Sequence, residues 1–233
     1  MRAFKRNSSL YFAPNKFGGL ELWLDASQLT GLVNNDPLGT WTDFSGKGNH
    51  ATQGTAGFKP IYKTNIVNEK PIIRFDGIDD LMTCALTGSE KAVTFFAVVY
   101  VMDTTDISNA IVGTNANGGL GFKISNTGKI ELVKVGTILI GASTTSLGAR
   151  VFKIVAGTYS SSGAFAFYLN GAADGSGTND QTLTAGLTTQ IGRDAVQTPF
   201  EGDIAEILKF HRVLTSVEIA YINSYLMNKY IPS

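Results

Sequence analysis

The residues best placed to do chemistry are three carboxylates near the end of the chain. Glu201, Asp203 and Glu206 follow an E-x-D-x-x-E spacing within the stretch EGDIAEILKF. Two carboxyl groups roughly 5 to 5.5 Å apart can hydrolyse a glycosidic bond with retention, one acting as nucleophile and the other as acid/base. Because side chains alternate across a strand, Glu201 and Asp203 share one face, and Glu206 needs a bulge to join them. The alternative role for these carboxylates is in structural ion pairs or hydrogen bonds.

A second set of carboxylates lies on one short turn. Asp76, Asp79 and Asp80 occur in the sequence DGIDD, and clustered oxygen donors on a loop are the ligands that calcium requires. The spacing differs from that of an EF-hand loop, and aspartates also stabilise turns by bonding to nearby backbone amides. The sequence therefore predicts either a calcium site or an aspartate-stabilised turn. Asp25 and Asp43 follow strand-like segments in the same way, and we expect them to form turns or to pair with Lys or Arg.

Other side chains give weaker indications of a site. His50 and His211 are the two histidines, and they lack the spacing of a zinc site. Trp23 and Trp41 have rings that can stack on a sugar, but both lie in apolar strand-like segments, which favours core packing. Cys84 is the single cysteine and lies in an apolar run, which favours a buried thiol.

Composition excludes several classes of function. The 19 basic and 19 acidic residues give a formal net charge of zero, so no global charge favours binding to nucleic acid. No segment is apolar over the length needed to cross a bilayer, and the first residues lack the apolar stretch of a secretory signal. We therefore expect no nucleic acid partner, no membrane insertion and synthesis in the cytoplasm. A length of 233 residues with 26 glycines suits one all-β domain of short strands and tight turns.

The elements that must position these side chains end in one helix. Thr215 and Glu218 have capping-box spacing, in which each side chain accepts a hydrogen bond from the other residue's backbone amide. Apolar residues then recur at helical spacing, which predicts that one face of the helix lies on the body of the domain and that the end at Lys229 is polar. The residues of that face are Ile219, Ile222, Leu226 and Tyr230.

Strand signals fill the region before this helix. Residues 93–101 are β-branched or aromatic at both parities, which predicts a central strand covered on both faces. Glycine-containing turns separate two pairs of segments, each predicted to form an antiparallel hairpin. These pairs are 121–125 with 129–133, and 151–159 with 164–169. Residues 172–186 are small and polar, and we expect them to form a mobile surface loop.

Residues 1–19 differ from the rest of the chain. They hold basic and aromatic side chains, no acidic residue, and no helix or strand period. Rings that such a segment cannot bury by itself must dock either on its own domain or on a neighbouring protein, and both alternatives stay open. We predict an N-terminal arm over residues 1–19 and one domain over residues 20–233. The predicted partner-binding residues of the arm are Arg2, Phe4, Lys5, Arg6, Tyr11 and Phe12.

Ordered motifs along the chain resemble a known fold family. The motifs are LWLDAS at 22–27, WTDFSGKGNHAT at 41–52, PIIRFDGIDD at 71–80, YLNG at 168–171, IGR at 191–193 and the segment 201–230. Together they resemble laminin-G-like domains of the concanavalin A-like jelly-roll superfamily, of the type found in bacterial and tailed-phage proteins. The resemblance implies an all-β, two-sheet antiparallel jelly-roll sandwich with a short C-terminal helix. It does not imply one activity, because this superfamily includes lectins, glycosidases and scaffolds.

The resemblance also bears on the E-x-D-x-x-E carboxylates. Their spacing is similar to the catalytic strand of laminarinase-like glycosidases, which implies Glu201 as nucleophile, Asp203 as its electrostatic helper and Glu206 as acid/base. Their position just before the terminal helix opposes this assignment, as do the apolar residues at both strand parities. Laminin-G-like domains carry a structural G-x-I-A-E pattern at the same place. We therefore predict no catalytic residue and a protein that is not an enzyme.

The arm, the absence of a signal peptide and the resemblance together indicate a particle-associated role. We expect a non-catalytic virion structural protein of a tailed phage, a head-decoration or tail-associated subunit that presents a lectin-like sandwich. The expected partners are other virion subunits such as capsid or tail proteins, together with a host-surface glycan, in a homo-oligomer or an assembly on the particle. One alternative is a carbohydrate-binding lectin-like module with calcium as its candidate cofactor. The other is a glycoside hydrolase built on Glu201 and Glu206.

Overall fold

The computed structural model describes residues 13–87, 91–104, 109–196 and 199–232. In these residues the chain forms sixteen strands and one α-helix. The strands are β1 Leu20–Asp25, β2 Thr40–Trp41, β3 Ala51–Thr52, β4 Ile61–Val67, β5 Lys70–Asp76, β6 Met82–Thr87, β7 Val93–Val101, β8 Asn109–Thr114, β9 Leu120–Ile124, β10 Lys129–Lys134, β11 Ile138–Ser146, β12 Lys153–Tyr159, β13 Ala164–Leu169, β14 Ala172–Thr178, β15 Thr188–Ile191 and β16 Glu201–Phe210, and the helix is α1 Ser216–Tyr230.

The strands pair into two antiparallel sheets. Sheet A has the order β14-β13-β12-β7-β16-β5-β4, with β1 also paired to β16. Sheet B has the order β11-β10-β9-β8-β15-β6-β3-β2. This arrangement confirms the predicted two-sheet antiparallel jelly-roll sandwich with a short C-terminal helix.

The main core lies between the two sheets. Phe95 of sheet A stacks on Phe122 of sheet B with ring centroids 5.3 Å apart, and Trp41 is completely buried in the same cluster. Strand β7 is buried at every position except Tyr100 and lies between β12 and β16, as predicted for a central strand. The β9–β10 and β12–β13 pairs confirm the two predicted hairpins.

The prediction of a surface loop over residues 172–186 is wrong for its first half. Residues Ala172–Thr178 form β14, the edge strand of sheet A, which continues the β13 hairpin. The segment lacks apolar alternation because its small residues make room for a neighbouring ring. A Cβ atom on Gly177 would lie 2.6 Å from the Phe165 ring. Glycine is therefore the residue that fits at this position of the edge strand. Its presence obscures the strand pattern in the sequence.

A second apolar cluster lies between the outer face of sheet A and α1. The capping box predicted for the helix is present, because the Thr215 hydroxyl accepts from the Glu218 amide and Glu218 accepts from the Thr215 amide. The predicted apolar face packs on sheet A residues such as Phe96 and Leu208. All four residues of that face are buried: Ile219, Ile222, Leu226 and Tyr230.

Strand β16 crosses the centre of sheet A and changes its register there. The pairing with β7 shifts between Ile204 and Glu206, and this bulge leaves Ala205 and Glu206 both on the side of α1. At Gly202 the backbone φ is +147°, and a Cβ atom would lie 2.0 Å from the carbonyl oxygen of Tyr100. Glycine is therefore required for the close approach of β16 to β7.

The last part of the predicted arm packs on its own domain. Pro14 is buried, Ala13 and Phe17 pack against the second cluster, and the Phe17 ring lies 6.3 Å from the ring of Tyr221 in α1. The residues predicted to bind a partner lie outside the described part of the chain: Arg2, Phe4, Lys5, Arg6, Tyr11 and Phe12. The division into an arm over 1–19 and a domain over 20–233 stays a prediction. In the residues that the structure describes, no helix has the length and apolar character to cross a membrane.

Candidate functional site

The most unusual polar feature of the molecule is a lysine between two buried carboxylates. Lys229, in the last turn of α1, places its Nζ 2.5 Å from Asp25 Oδ2 and 2.7 Å from Glu206 Oε2. Asp25 ends β1 and Glu206 follows the bulge in β16, so three separate elements bring these groups together. The end of the helix at Lys229 was predicted to be polar, and it is. The lysine turns inward, because the two carboxylates lie beneath it.

Aromatic hydrogen-bond donors complete the surroundings of Glu206. Trp23 Nε1 donates to Glu206 Oε1 at 2.7 Å, and the Tyr230 hydroxyl lies 2.9 Å from Oε2. The Tyr225 hydroxyl lies 3.1 Å from Lys229 Nζ and 3.5 Å from Glu206 Oε2. These residues with Asp25, Glu206 and Lys229 are called the Lys229 network below. Burial is the main reason why the pKa values of both tyrosines are raised.

The charge balance of the Lys229 network changes with pH. Glu206 is completely buried, and its pKa is raised to about 7, first by burial and then by the nearby charge of Asp25. Lys229 and Tyr230 act in the opposite direction but do not cancel the effect. Two ionised carboxylates beside one ammonium would leave a buried net negative charge, which is costly in a low-dielectric interior. Glu206 therefore holds a proton up to about neutral pH.

A groove of about 440 Å³ opens to solvent directly above this network. It lies between α1, the end of β1 and the β4–β5 turn. The name helix groove is used here for the surface lined by Trp23, Asp25, Ser27, Gln28, Asn68, Lys70, Tyr225, Asn228 and Lys229. A concave surface with an aromatic wall and several converging polar groups is typical of a binding site for a small polar molecule.

Internal hydrogen bonds hold the walls of the helix groove in place. Asp25 Oδ1 accepts from the backbone amide and the hydroxyl of Ser27, and Oδ2 accepts from Gln28 Nε2 at 2.7 Å. Across the groove, Asn68 Nδ2 donates to the backbone oxygen of Lys229 at 2.9 Å. Gln28 and Asn68 use their amide nitrogens in these bonds, which fixes both side chains together with their amide oxygens. The groove therefore presents preorganised acceptors and donors beside the Tyr225 ring.

The structure does not assemble the E-x-D-x-x-E carboxylates into one site. Asp203 is 2% exposed and makes a two-fold ion pair with Arg74, with distances of 2.6 and 2.8 Å. Glu206 lies under α1 in the Lys229 network, and the backbone amide of Glu201 donates to Asn109. For Asp203 and Glu206, the alternative role in structural ion pairs and hydrogen bonds is the one observed.

Asp25 and Glu206 resemble a catalytic pair more than the E-x-D-x-x-E carboxylates do, because both lie within 2.7 Å of Lys229 Nζ. A retaining pair must nevertheless contact the sugar from both sides of the reacting bond. Glu206 has no exposed surface and does not line the helix groove, whereas Asp25 does. The arrangement therefore supports positioning of Lys229 by two carboxylates rather than attack on a bound substrate.

The three aspartates of the predicted calcium site do come together. One carboxylate oxygen from each of Asp76, Asp79 and Asp80 lies within 4.8 Å of the others, a spacing that oxygen ligands around calcium can adopt. The turn role is present as well, because Asp76 accepts from the amides of Ile78 and Asp79, and Asp80 accepts from the Asp76 amide. Burial raises the pKa of Asp80 to about 6.

The remaining sequence candidates have structural roles. Trp23 and Trp41 are buried, as predicted, although Trp23 also borders the helix groove. Cys84 is a buried free thiol, and burial raises its pKa to about 12. His50 accepts a hydrogen bond from the Asp43 amide. The predicted turn role of Asp43 is also observed, because its carboxylate accepts from the backbone amides of Trp23, Ser45 and Asn49.

Sequence reasoning missed most of the helix groove. Asp25 was predicted to form a turn or to pair with a basic residue, and it does both, but its partner is 204 residues away. Tyr225 and Lys229 are four residues apart on one helix face, the spacing at which side chains meet. That spacing was the one available signal, and it is common on solvent-exposed helices.

Comparison with known proteins identifies a family. A laminin-G family model, described as the concanavalin A-like lectin/glucanases superfamily, matches residues 79–220, which is more than half of the chain. No curated protein matches the chain by sequence.

Solved structures share the fold at low sequence identity. Domain 4 of the arabinanase AbnA from Geobacillus stearothermophilus, solved with arabinotriose, has a TM-score of 0.63 at 15% identity; the alignment covers 86% of this chain and 96% of that domain. The binding domain of botulinum neurotoxin serotype D has a TM-score of 0.63 at 15% identity. The alignment covers 88% of this chain and 51% of the toxin chain. A Trypanosoma rangeli sialidase, solved with the inhibitor DANA, has a TM-score of 0.59 at 15% identity. The alignment covers 89% of this chain and 33% of the sialidase chain. The chain thus spans one third of the sialidase and about half of the toxin fragment, and the likeness concerns the fold.

Proposed function

Because the chain belongs to the concanavalin A-like lectin/glucanases superfamily, we propose that it is a non-catalytic carbohydrate-binding sandwich whose ligand occupies the helix groove. One observation carries this proposal. The groove places the Tyr225 ring beside the polar side chains of Gln28, Asn68 and Asn228 over a rigid, hydrogen-bonded floor. Sugars present an apolar ring face and many hydroxyl groups, so an aromatic wall beside fixed amides suits them.

The comparisons are compatible with this proposal. The structure of AbnA domain 4 was solved with arabinotriose, and that domain is matched over nearly its whole length. At 15% identity this likeness supports only a shared fold, so the assignment of a ligand depends on the groove itself.

A binding assay with matched variants tests the proposal. We expect the purified chain to bind glycans on an array, and the double variant with Gln28→Ala and Asn228→Ala to bind at least tenfold more weakly. Each lost hydrogen bond is worth about 0.5–1.5 kcal/mol. Asn126→Ala is the control, because Asn126 is also exposed but lies in the β9–β10 turn. Absence of glycan binding, or equal dissociation constants for the double variant and wild type, would contradict the proposal.

The non-catalytic part of the proposal is supported by the burial of the candidate carboxylates. Asp203 is held by Arg74, and Glu206 has no exposed surface. Incubation with a panel of linear polysaccharides is expected to release no reducing ends. Cleavage by wild type that disappears in Glu201→Gln or Glu206→Gln would establish a glycosidase instead.

Calcium is a second element of the proposal, and the spacing of Asp76, Asp79 and Asp80 supports it. A cation bound only to the folded state stabilises it by about 2.7 kcal/mol at one hundred times its dissociation constant. We expect calcium to raise the melting temperature of wild type and to have no effect on Asp79→Asn. Magnesium and the exposed Asp180→Asn serve as controls. Identical melting curves with calcium and with chelator would leave only the turn role.

The virion role also belongs to the proposal. It is supported by the basic and aromatic composition of residues 1–12 and by the resemblance to phage laminin-G-like domains. In this setting the sandwich binds a host-surface glycan, the arm contacts capsid or tail subunits, and the chain acts as an oligomer or on a particle. Sedimentation of the purified chain, together with mass spectrometry of what copurifies, tests this setting. A monomer without particle proteins would contradict it.

A further inference from the structure

The helix groove has a neighbour that the proposed function does not use. A second cavity of about 270 Å³ lies at the end of the Ala26–Gln28 turn. We call it the Phe44 cavity, and it is lined by Gln28, Leu29, Thr30, Leu32, Thr40, Thr42 and Phe44. Gln28 lines both cavities, so they are neighbours at this side chain.

Hydrogen bonds and ring contacts fix the two cavities relative to each other. The Phe44 amide donates to the Trp23 carbonyl at 2.8 Å, and the two rings meet edge to face with centroids 6.2 Å apart. Trp23 belongs to the helix groove, and Phe44 belongs to the second cavity. At the junction, Asp25 holds Gln28 by its Nε2 atom. We refer to the two cavities together as the trough, because Gln28 and the Trp23–Phe44 contact hold them next to each other.

The two ends of this trough differ in chemistry. The helix-groove end carries the Lys70 ammonium, and within the described residues no carboxylate forms an ion pair with it. Lys229 at the same end already contacts Asp25 and Glu206. The Phe44 end has no charged side chain among its lining residues and combines the Phe44 ring and two leucines with three threonines. An anionic group fits beside Lys70, and a sugar ring face fits against Phe44.

We propose that the two cavities form one extended site for a linear oligosaccharide of at least two units, with an acidic group on the unit beside Lys70. The proposal rests on the proposed function, because it assumes that the helix groove binds glycans. It adds the length and charge of the ligand. Its chain crosses Gln28, which serves both units, and the second unit contacts Phe44 and Thr40.

Uronic acid oligosaccharides test length and charge together. The probes are linear oligomers of one to four uronic acid units and the methyl esters of the same oligomers, which keep the shape and remove the charge. Titration calorimetry is expected to show at least tenfold tighter binding of two or three units than of one. Esterification or Lys70→Gln should weaken binding of the acidic oligomers at least tenfold, and the two changes together should weaken it no more than either change alone.

Variants in the Phe44 cavity separate this inference from the proposed function. Phe44→Leu keeps an apolar side chain next to Trp23, and Thr40→Ala changes an exposed hydroxyl, so both are expected to fold. They should abolish the gain from added units and leave monosaccharide affinity unchanged. If Asn228→Ala still weakens binding, the helix groove binds glycans. In that case, equal affinity for one and four units, or equal affinity for acids and esters, would overturn the extended acidic site alone. Failure of every glycan on the array to bind would overturn the proposed function.

Discussion

At the residue scale, the Lys229 network determines how the molecule responds to pH. Asp25 and Glu206 are both buried, and Lys229 is the one cation that contacts them within the described residues. The groups that face Glu206 come from β1 and α1: Trp23, Asp25, Tyr225, Lys229 and Tyr230. Removing one partner from such a network leaves a buried charge uncompensated, which is far more costly than the net value of the ion pair.

The pKa of Glu206 gives a prediction with a definite sign. It lies at about 7 in the folded state and at 4.5 in the unfolded chain, so the folded state binds the proton more tightly. The stabilisation from this group is complete below pH 4.5 and is lost as the pH rises through 7. Between pH 6 and 8 we expect wild type to lose about 1 kcal/mol more unfolding free energy than Glu206→Gln, since each pH unit of linkage is worth about 1.4 kcal/mol.

Chemical denaturation of the two proteins at pH 6, 7 and 8 measures this difference. Asp80→Asn is the matched control, because the pKa of Asp80 is raised only to about 6 and its contribution lies at lower pH. Asp80→Asn should therefore keep the wild-type slope above pH 7. Parallel stability curves for wild type and Glu206→Gln would show that Glu206 is already ionised at pH 6.

At the element scale, α1 has two functions that depend on the same packing. Its apolar face covers sheet A, and its last turns supply Tyr225, Asn228 and Lys229 to the helix groove. Ion pairing reinforces the start of the helix, because Arg212 bonds to both oxygens of Glu218 and lowers the pKa of that carboxyl to about 2. A helix that detached from sheet A would therefore remove one wall of the groove.

Two helix variants separate capping from packing. Thr215→Ala removes the side-chain acceptor of the capping box and is expected to cost about 1 kcal/mol of unfolding free energy. Leu226→Ala removes a buried side chain from the second cluster and is expected to cost roughly 2 to 5 kcal/mol. Thr215→Ser and Leu226→Met are the controls, because they retain the hydroxyl and most of the volume. An unfolding midpoint for Leu226→Ala equal to that of wild type would mean that the helix is not docked.

At the scale of the whole molecule, local patterns predicted the fold better than the site. The uninterrupted apolar run of β7 and the capping box of α1 are short-range signals, and both elements are where they were expected. Strand β14 was missed because Gly175 and Gly177 replace the apolar residues that mark a strand. The Phe165 ring selects Gly177 and a φ of +111° selects Gly175, and a single sequence contains neither constraint.

The candidate site was less predictable because its members are distant in the chain. Lys229 meets Asp25 across 204 positions, and Trp23 meets Glu206 across 183. No spacing rule connects such pairs, since their meeting depends on how β1 pairs with β16 and where α1 docks. In contrast, the aspartates at 76–80 are neighbours in sequence, and their proximity followed from the turn.

The N-terminal segment provides the last prediction, because it links the fold to the proposed particle role. Residues Ala13 and Phe17 pack on the second cluster, whereas the basic and aromatic residues proposed to bind a partner lie in 1–12. Deletion of residues 1–12 should therefore leave the melting temperature within about 2 °C of wild type and abolish self-assembly or particle attachment. Deletion of residues 1–17 should also lower the melting temperature, since a change of about 1 kcal/mol shifts it by roughly 2–4 °C in a domain of this size. Phe17→Ala in the full chain is the matched control, which should lose stability and still assemble. Wild-type assembly by the chain that lacks residues 1–12 would contradict the role of the arm.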